Sequence, residues 1–94
     1  MIKLISTKYV LKENFIYILD YSIINENSSY FIAINSKKLF THDFYNNNVT
    51  NILKEDYTKT IISNKTYNEA LNIVKLLSKN TVFPSMLNDI INDN

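Results

Sequence analysis

A chain of 94 residues with a net charge of +1 provides enough apolar side chains for one modest core and no strongly charged surface. The near balance of charges does not favour binding to a polyanion, and arginine, which most often reads phosphate and guanine, is absent. Without glycine or cysteine there is no phosphate-binding glycine loop, no disulfide framework and no thiolate metal site.

The abundance of Asn, Ile, Lys, Tyr and Phe is the composition that an A/T-rich genome produces without any functional cause. The seven tyrosines and the many lysines are therefore not counted as a binding signature. Lys3, Lys8 and Lys12 interrupt any apolar region of a signal peptide, and no apolar run approaches the ~20 residues that span a bilayer. We expect a cytoplasmic protein with no membrane partner.

The first strand is predicted at the start of the chain, where MIKLI is followed by TKYVL, and residues 12–14 are predicted to form a turn. A central hairpin follows, because FIYILDYSII and SYFIAIN favour strands and are separated by the polar cluster NENS. With a four-residue loop over residues 25–28, Ile24 would face Ser29.

Side-chain alternation assigns the hairpin residues to two faces. The face that is entirely apolar or aromatic is predicted to be the core, and it comprises Phe15, Tyr17, Leu19, Tyr21, Ile23, Tyr30, Ile32 and Ile34. The other, named the second face here, mixes apolar and polar side chains: Ile16, Ile18, Asp20, Ser22, Ile24, Phe31, Ala33 and Asn35. A turn of odd length would invert this assignment.

The middle of the chain is less regular. Residues 35–37 are predicted to form a second turn, and LFTHDF a further strand with His42 and Asp43 on opposite sides. Residues 49–63 fit either a helical turn or a strand, and we favour an edge strand over residues 57–63.

The clearest helix is predicted over residues 67–79. Thr66 and Glu69 have the spacing of a capping box, apolar residues repeat at helical spacing, and Asn80 suits the left-handed position that ends a helix. A shorter helix is predicted to start at Pro84. The sequence therefore predicts one α+β domain over residues 1–94: an antiparallel β-meander of three to five strands packed against one long helix, with a short C-terminal helix.

Residues that could carry catalysis or bind a metal are sparse. His42 is the only histidine, and on a strand Asp43 would point away from it. Counting from Asp43, a calcium loop would need Gly at Asn48 and Glu at Lys54. We assign no catalytic residue, no metal site and no cofactor.

The second face is the predicted site of partner binding. If the helices cover only the core face, an apolar patch with a polar rim remains, which is typical of protein-binding surfaces. We expect Ile18 and Phe31 to make apolar contacts, with Phe31 as the aromatic anchor, and Asp20 to pair with a basic group of the partner. The alternative is that the C-terminal helix or the end of the first strand covers this face.

The sequence favours a non-enzymatic protein whose partner is a host enzyme or complex, or a second copy of the chain. Small size and A/T-rich composition are common among accessory proteins of phages and mobile elements, which suggests an inhibitor of host defence such as an anti-CRISPR protein. A small nucleic-acid-binding regulator is the alternative, because a sheet rich in Tyr and Phe near Lys37 and Lys38 could stack on bases. Without arginine, nucleic acid is the less favoured partner. An enzyme using His42 is the third hypothesis.

Overall fold

Four antiparallel strands in chain order form one sheet in the computed structural model, which describes residues 1–63 and 65–92. The strands are β1 (Ile2–Lys12), β2 (Phe15–Glu26), β3 (Ser29–Phe40) and β4 (Lys54–Ile62). The helices are α1 (Thr41–Tyr45), α2 (Tyr67–Lys79) and α3 (Pro84–Asn92). The predicted α+β meander is confirmed with four strands, but α2 and α3, of 13 and 9 residues, share the helical layer instead of one long helix dominating it.

The hairpins β1–β2 and β2–β3 close through turns of two residues. Lys12 pairs with Phe15 across the first turn, so the turn predicted over residues 12–14 is shorter by Lys12, and Glu26 pairs with Ser29 across the second. At the second turn Asn27 and Ser28 have φ values of 50° and 65°, as a type I′ turn requires. The predicted four-residue loop was wrong, because the strands continue pairing toward the turn.

This error in the loop length does not change which residues lie on each face of the hairpin. Ile24 pairs with Phe31 instead of Ser29, which shifts the register by two residues. Because side chains alternate with a period of two, an even shift keeps every residue on its predicted face.

The predictions for residues 35–44 need correction. No turn interrupts residues 35–37, because they pair with β2 on one side and with β4 on the other. Backbone pairing on both sides of this central strand outweighs the local turn preference. The predicted strand over LFTHDF ends at Phe40 and gives way to α1. The strand favoured over residues 57–63 is present as β4, although it begins at Lys54.

Helices α2 and α3 pack on the predicted core face of the sheet. Leu19, Tyr21 and Ile32 are fully buried there. The other buried members of this cluster are Ile23, Ile34, Ile62, Ala70, Val74, Leu77, Val82 and Leu87. The Tyr21 hydroxyl donates to the backbone oxygen of Val82 at 2.9 Å, which joins β2 to the segment between the helices.

Helix α2 has the predicted bounds and a defined structure at each end. Thr66 and Glu69 form the predicted capping box. At the other end Asn80 has φ −89°, so the prediction that it takes the left-handed position was wrong; Thr81 takes that position with φ 52°. The amide of Val82 donates to the oxygen of Leu77, and that of Thr81 to Ser78, which is a Schellman motif. Both Val82 and Leu77 lie in the core, and the apolar contact between them favours the end of the helix at this position.

Without glycine, every left-handed backbone position falls to another residue type. In the described part of the chain these residues are Glu13, Asn27, Ser28, Asn47 and Thr81. Asparagine tolerates this conformation best among them, whereas the branched Cβ of threonine tolerates it poorly.

None of the helices in residues 1–63 and 65–92 has the length and apolar content needed to span a membrane.

Candidate protein-binding surface

Helix α1 lies on the second face of the sheet and covers one end of it. Tyr9 pairs with Ile18 and so belongs to the second face, and the Tyr9 ring contacts the Phe44 ring at a centroid distance of 5.6 Å. Near this contact Ile16 and its cross-strand partner Leu39 are buried. Helix α1 was not among the elements that the sequence predicted to cover this face.

The rest of the second face forms a shallow cavity of about 290 Å³ between the two edge strands. Ser22 on β2 pairs with Ala33 on β3, and these small side chains give a low floor. Leu4 on β1 and Tyr57 on β4 rise on either side and are 56% and 60% exposed. The remaining lining residues are Ile2, Asp20, Ile24 and Asn35. The cavity is thus an apolar depression with a few polar groups in its floor.

Among the described residues, Asp20 is the single charged side chain that lines this cavity. Its Oδ1 accepts a hydrogen bond of 2.7 Å from the Thr7 hydroxyl on β1, which fixes the carboxylate in the floor. Within residues 1–63 and 65–92 no cation pairs with it. A half-buried carboxylate without a cationic partner provides a place where a positive group from another molecule would be stabilised.

Two lysines of the second face have acidic residues as neighbours. The Lys59 ammonium lies 3.4 Å from Glu26 and 4.5 Å above the centroid of the Phe31 ring. Lys37 stands opposite Glu55 in the pairing of β3 with β4. The face therefore has a negative group in its centre and mixed, mutually compensating charges at its margins.

The three residues predicted to bind a partner share the second face but have different surroundings. Asp20 lines the cavity. Phe31 lies beside it, paired with Ile24 and Ile61, and is half-buried beneath the Lys59 ammonium. Ile18 lies toward the end that α1 covers. Sequence reasoning placed all three on one face but not around one cavity.

The walls of the cavity were missed from the sequence. Ile2 and Leu4 belong to β1 and Tyr57 to β4, and their relation to the hairpin depends on register. A bulge at Ile5, between Leu4 and Ser6, moves Leu4 onto the second face, which simple alternation from the first turn does not predict. The one available signal was the alternation of apolar residues in MIKLI and in KEDYTKTII.

His42 and Asp43 are closer together than the strand prediction implied. Because they lie on α1, His42 Nε2 is 3.5 Å from Asp43 Oδ1, and the expectation that they face apart was wrong. The imidazole is 72% exposed and stacks on the Phe40 ring with an interplanar angle of 17°. No group of three His, Cys, Asp or Glu side chains in the described residues is placed to hold a metal ion.

A second opening lies at the α1 end of the sheet and is lined by Asn14, Phe40, Thr41, His42 and Tyr45. Here the rings of Phe15, Phe40 and His42 form a continuous stack. The Lys38 ammonium lies 4.1 Å from the centroid of the Phe15 ring. Exposed stacked rings beside a cation are a feature of sites that bind single-stranded nucleic acid.

A comparison with known protein families, curated proteins and solved structures found no match.

Proposed function

We propose that this chain is a non-enzymatic protein-binding protein and that it binds its partner through the open part of the second face. The observation that carries the proposal is the cavity between β1 and β4, with Leu4 and Tyr57 exposed on its walls and Asp20 in its floor. Exposed apolar side chains around one charged group allow apolar contacts and one specific polar contact in the same place, which suits a protein partner. With a volume of about 290 Å³, the cavity is shallow and lies near the lower end of the ~300 to 1,000 Å³ typical of small-molecule sites.

The charge of Asp20 indicates the chemistry of the partner. A partner that places a lysine or arginine among apolar side chains would satisfy the carboxylate and bury the walls at the same time. A second copy docking through the same face fits less well, because two-fold symmetry would bring Asp20 toward its own copy. Of the lysines of this face, Lys59 is already paired with Glu26.

Within this proposal the chain acts in the cytoplasm as an inhibitor that occupies the surface of a host enzyme or complex, such as a component of a CRISPR defence system. Support for this part comes from the 94-residue length, the A/T-rich composition and the absence of cysteine. A chain that inhibits by occupying a surface needs an exposed face and no catalytic group of its own.

Variants of the second face test the binding proposal. Immobilised wild-type chain should retain a specific protein from bacterial lysate, and Tyr57→Ala and Asp20→Lys should reduce retention at least tenfold. Phe31→Ala should weaken the contact by about 2 kcal/mol or more if it is a binding hot spot. Leu76→Ala is the matched control, because Leu76 is equally exposed but belongs to α2 on the opposite side of the sheet.

Two results would contradict the proposal: equal retention by all four variants, or unfolding of the Tyr57→Ala and Asp20→Lys chains. The second would mean that these residues support the fold instead of an interface. The inhibitor role has its own assay, since expression of the wild-type chain in a strain with active CRISPR immunity should restore phage plaques, and Asp20→Lys should not.

The stack at the α1 end favours a nucleic-acid-binding regulator as the second candidate function. Phe40, His42 and Tyr45 could stack on unpaired bases, with Lys38 near the phosphates. Because arginine is absent and the net charge is +1, we expect no oligonucleotide binding tighter than micromolar at physiological salt. Fluorescence anisotropy with single- and double-stranded DNA and RNA measures this. A submicromolar affinity that falls steeply with salt and is lost in Phe40→Ala would reverse the order of the two candidates.

A further inference from the structure

Strand β1 forms one edge of the sheet along its whole length of eleven residues. Met1 and Asn25 exchange both backbone hydrogen bonds, at 2.9 and 3.0 Å. In an antiparallel ladder such pairs alternate with pairs whose N–H and C=O groups point away from the partner strand. The backbone groups of Ile2 and Leu4 therefore point out from the sheet, and no turn or loop among the described residues makes a backbone hydrogen bond to them.

The side chains of this edge separate by chemistry onto the two faces of the sheet. Tyr9 and Leu11 follow Ile2 and Leu4 on the second face, and all four are more than half exposed. Lys3, Lys8 and Lys12 project on the core face. Lys8 donates to the carbonyl oxygens of Ser78 and Lys79, and Lys3 lies over the Tyr67 ring, but no carboxylate in the described residues pairs with any of the three lysines.

The opposite edge differs in charge. Strand β4 carries both signs, with Lys54 beside Asp56 at 3.5 Å and Lys59 beside Glu26. Helix α3 packs against β4 as well. A helix that covers an edge strand protects it against addition of a further strand. The β1 edge displays charges of one sign only, which repel a second β1 but attract an acidic strand.

We propose that β1 accepts an extended acidic segment of the partner protein as a fifth strand. The segment alternates acidic residues, which face Lys3, Lys8 and Lys12, with apolar residues, which continue the apolar surface of Ile2, Leu4 and Tyr9. Backbone hydrogen bonds to β1 provide affinity, and the alternating side chains provide specificity. This inference rests on the proposed function, because Ile2 and Leu4 also form a wall of the cavity in the second face.

A designed peptide tests the inference on the full chain. The probe has nine residues that alternate glutamate with valine or isoleucine, and the matched probe carries lysine at each glutamate position. Fluorescence anisotropy should give at least tenfold tighter binding for the acidic probe, with an affinity that falls as salt is raised. Equal binding of the two probes, or binding of neither, would overturn the proposal.

Two variants at one position isolate the backbone contribution. Leu4→Pro removes an outward N–H without breaking the pairing with β2, and Leu4→Ala shortens the same side chain while keeping the N–H. Binding of the acidic probe should be at least tenfold weaker in Leu4→Pro than in Leu4→Ala; equal affinities would exclude strand addition. If Leu4→Pro does not fold, hydrogen exchange of the wild-type chain provides the test. The Leu4 amide should be protected from exchange only when the acidic probe is bound. An unchanged exchange rate at saturating probe also overturns the proposal.

Three further outcomes bear on this inference, and the last two separate it from the proposed function. A dimer in sedimentation that Leu4→Pro dissolves would identify a second copy as the strand and refute the acidic segment. If Tyr57→Ala abolishes partner capture while the acidic probe does not bind, the proposed function stands and strand addition is wrong. If the probe binds as expected but the Tyr57 and Asp20 variants still capture the partner, the edge is the binding site and the cavity is not.

Discussion

Tyr21 shows how one buried polar group can hold two layers of the molecule together. Its ring lies in the core without solvent exposure, and its hydroxyl donates to the oxygen of Val82. The segment that Val82 occupies links α2 to α3, so the bond ties that connection to the central hairpin. Burial raises the pKa of the Tyr21 phenol to about 12, because the charged phenolate is poorly solvated there.

Tyr21→Phe is expected to lower the free energy of unfolding by about 1 to 3 kcal/mol, because the Val82 carbonyl would lose its donor in a buried place. Urea unfolding at pH 7 measures this difference. The surface variant Tyr57→Phe, which removes a hydroxyl from an exposed side chain, should change stability by less than ~0.5 kcal/mol. A Tyr21→Phe chain as stable as the wild type would show that the bond makes no net contribution.

The raised pKa of Tyr21 also gives the bond a pH dependence. The folded chain holds the phenol proton more tightly than the unfolded chain, in which the tyrosine pKa is near 10.0. The contribution of Tyr21 is therefore complete below about pH 10 and is lost as the pH rises toward 12. The stability difference between wild type and Tyr21→Phe, followed as a function of pH, isolates the contribution of this one phenol.

At the scale of elements, α2 is fixed at both ends by its own sequence. The Thr66 amide donates to the Glu69 carboxylate, and this bond, with the bond to the Thr66 side chain, holds the pKa of Glu69 below its usual value. The lowered pKa means that the cap contributes stability above about pH 4.5 and loses that contribution as the carboxylate is protonated at lower pH. The Schellman motif then ends the helix at Lys79.

Two adjacent leucines of α2 test how the helix is oriented on the sheet. Leu77→Ala should lower the free energy of unfolding by about 2 to 5 kcal/mol, because Leu77 is buried and its loss leaves a cavity in the core. Leu76→Ala should cost less than ~0.5 kcal/mol, because Leu76 is 58% exposed. Paired urea melts would contradict this orientation if the two variants had equal stability or the reverse order.

Helix α2 and the two faces of the hairpin could be predicted because they depend on patterns among residues close in sequence. The boundaries of β3 could not be predicted in this way. A capping box and a helical repeat act over four residues, and alternation survives an even register error. In contrast, residues 35–37 have turn-forming side chains, yet β2 and β4 pair with them from both sides. That pairing depends on β4, which lies about twenty residues further along the chain. His42 was misplaced for the same reason, since α1 begins where the pairing of β3 ends.

The whole molecule is built from an asymmetric pair of layers. Helices α2 and α3 cover one face of the sheet, and α1 covers only one end of the other. The sequence predicted which residues of the hairpin share the uncovered face, and it placed Asp20 there. It did not predict the cavity, because the cavity requires β1 and β4 to flank the hairpin in a specific register that a bulge adjusts.

The five left-handed residues have a consequence for how this protein can change over generations. An L-residue other than glycine pays roughly 1 to 2 kcal/mol for that conformation, least for asparagine and most for a branched side chain such as that of Thr81. Replacement by glycine would remove this strain, although the unfolded chain would gain some freedom. A glycine at one of these positions would therefore raise the free energy of unfolding by about as much as the ~1 kcal/mol that an average substitution removes. If a substitution of Tyr57 or Leu4 destabilised the fold, replacement of Thr81 by glycine could offset the loss of stability at a position far from the altered surface. The protein could then keep its structure while the partner that it binds changes.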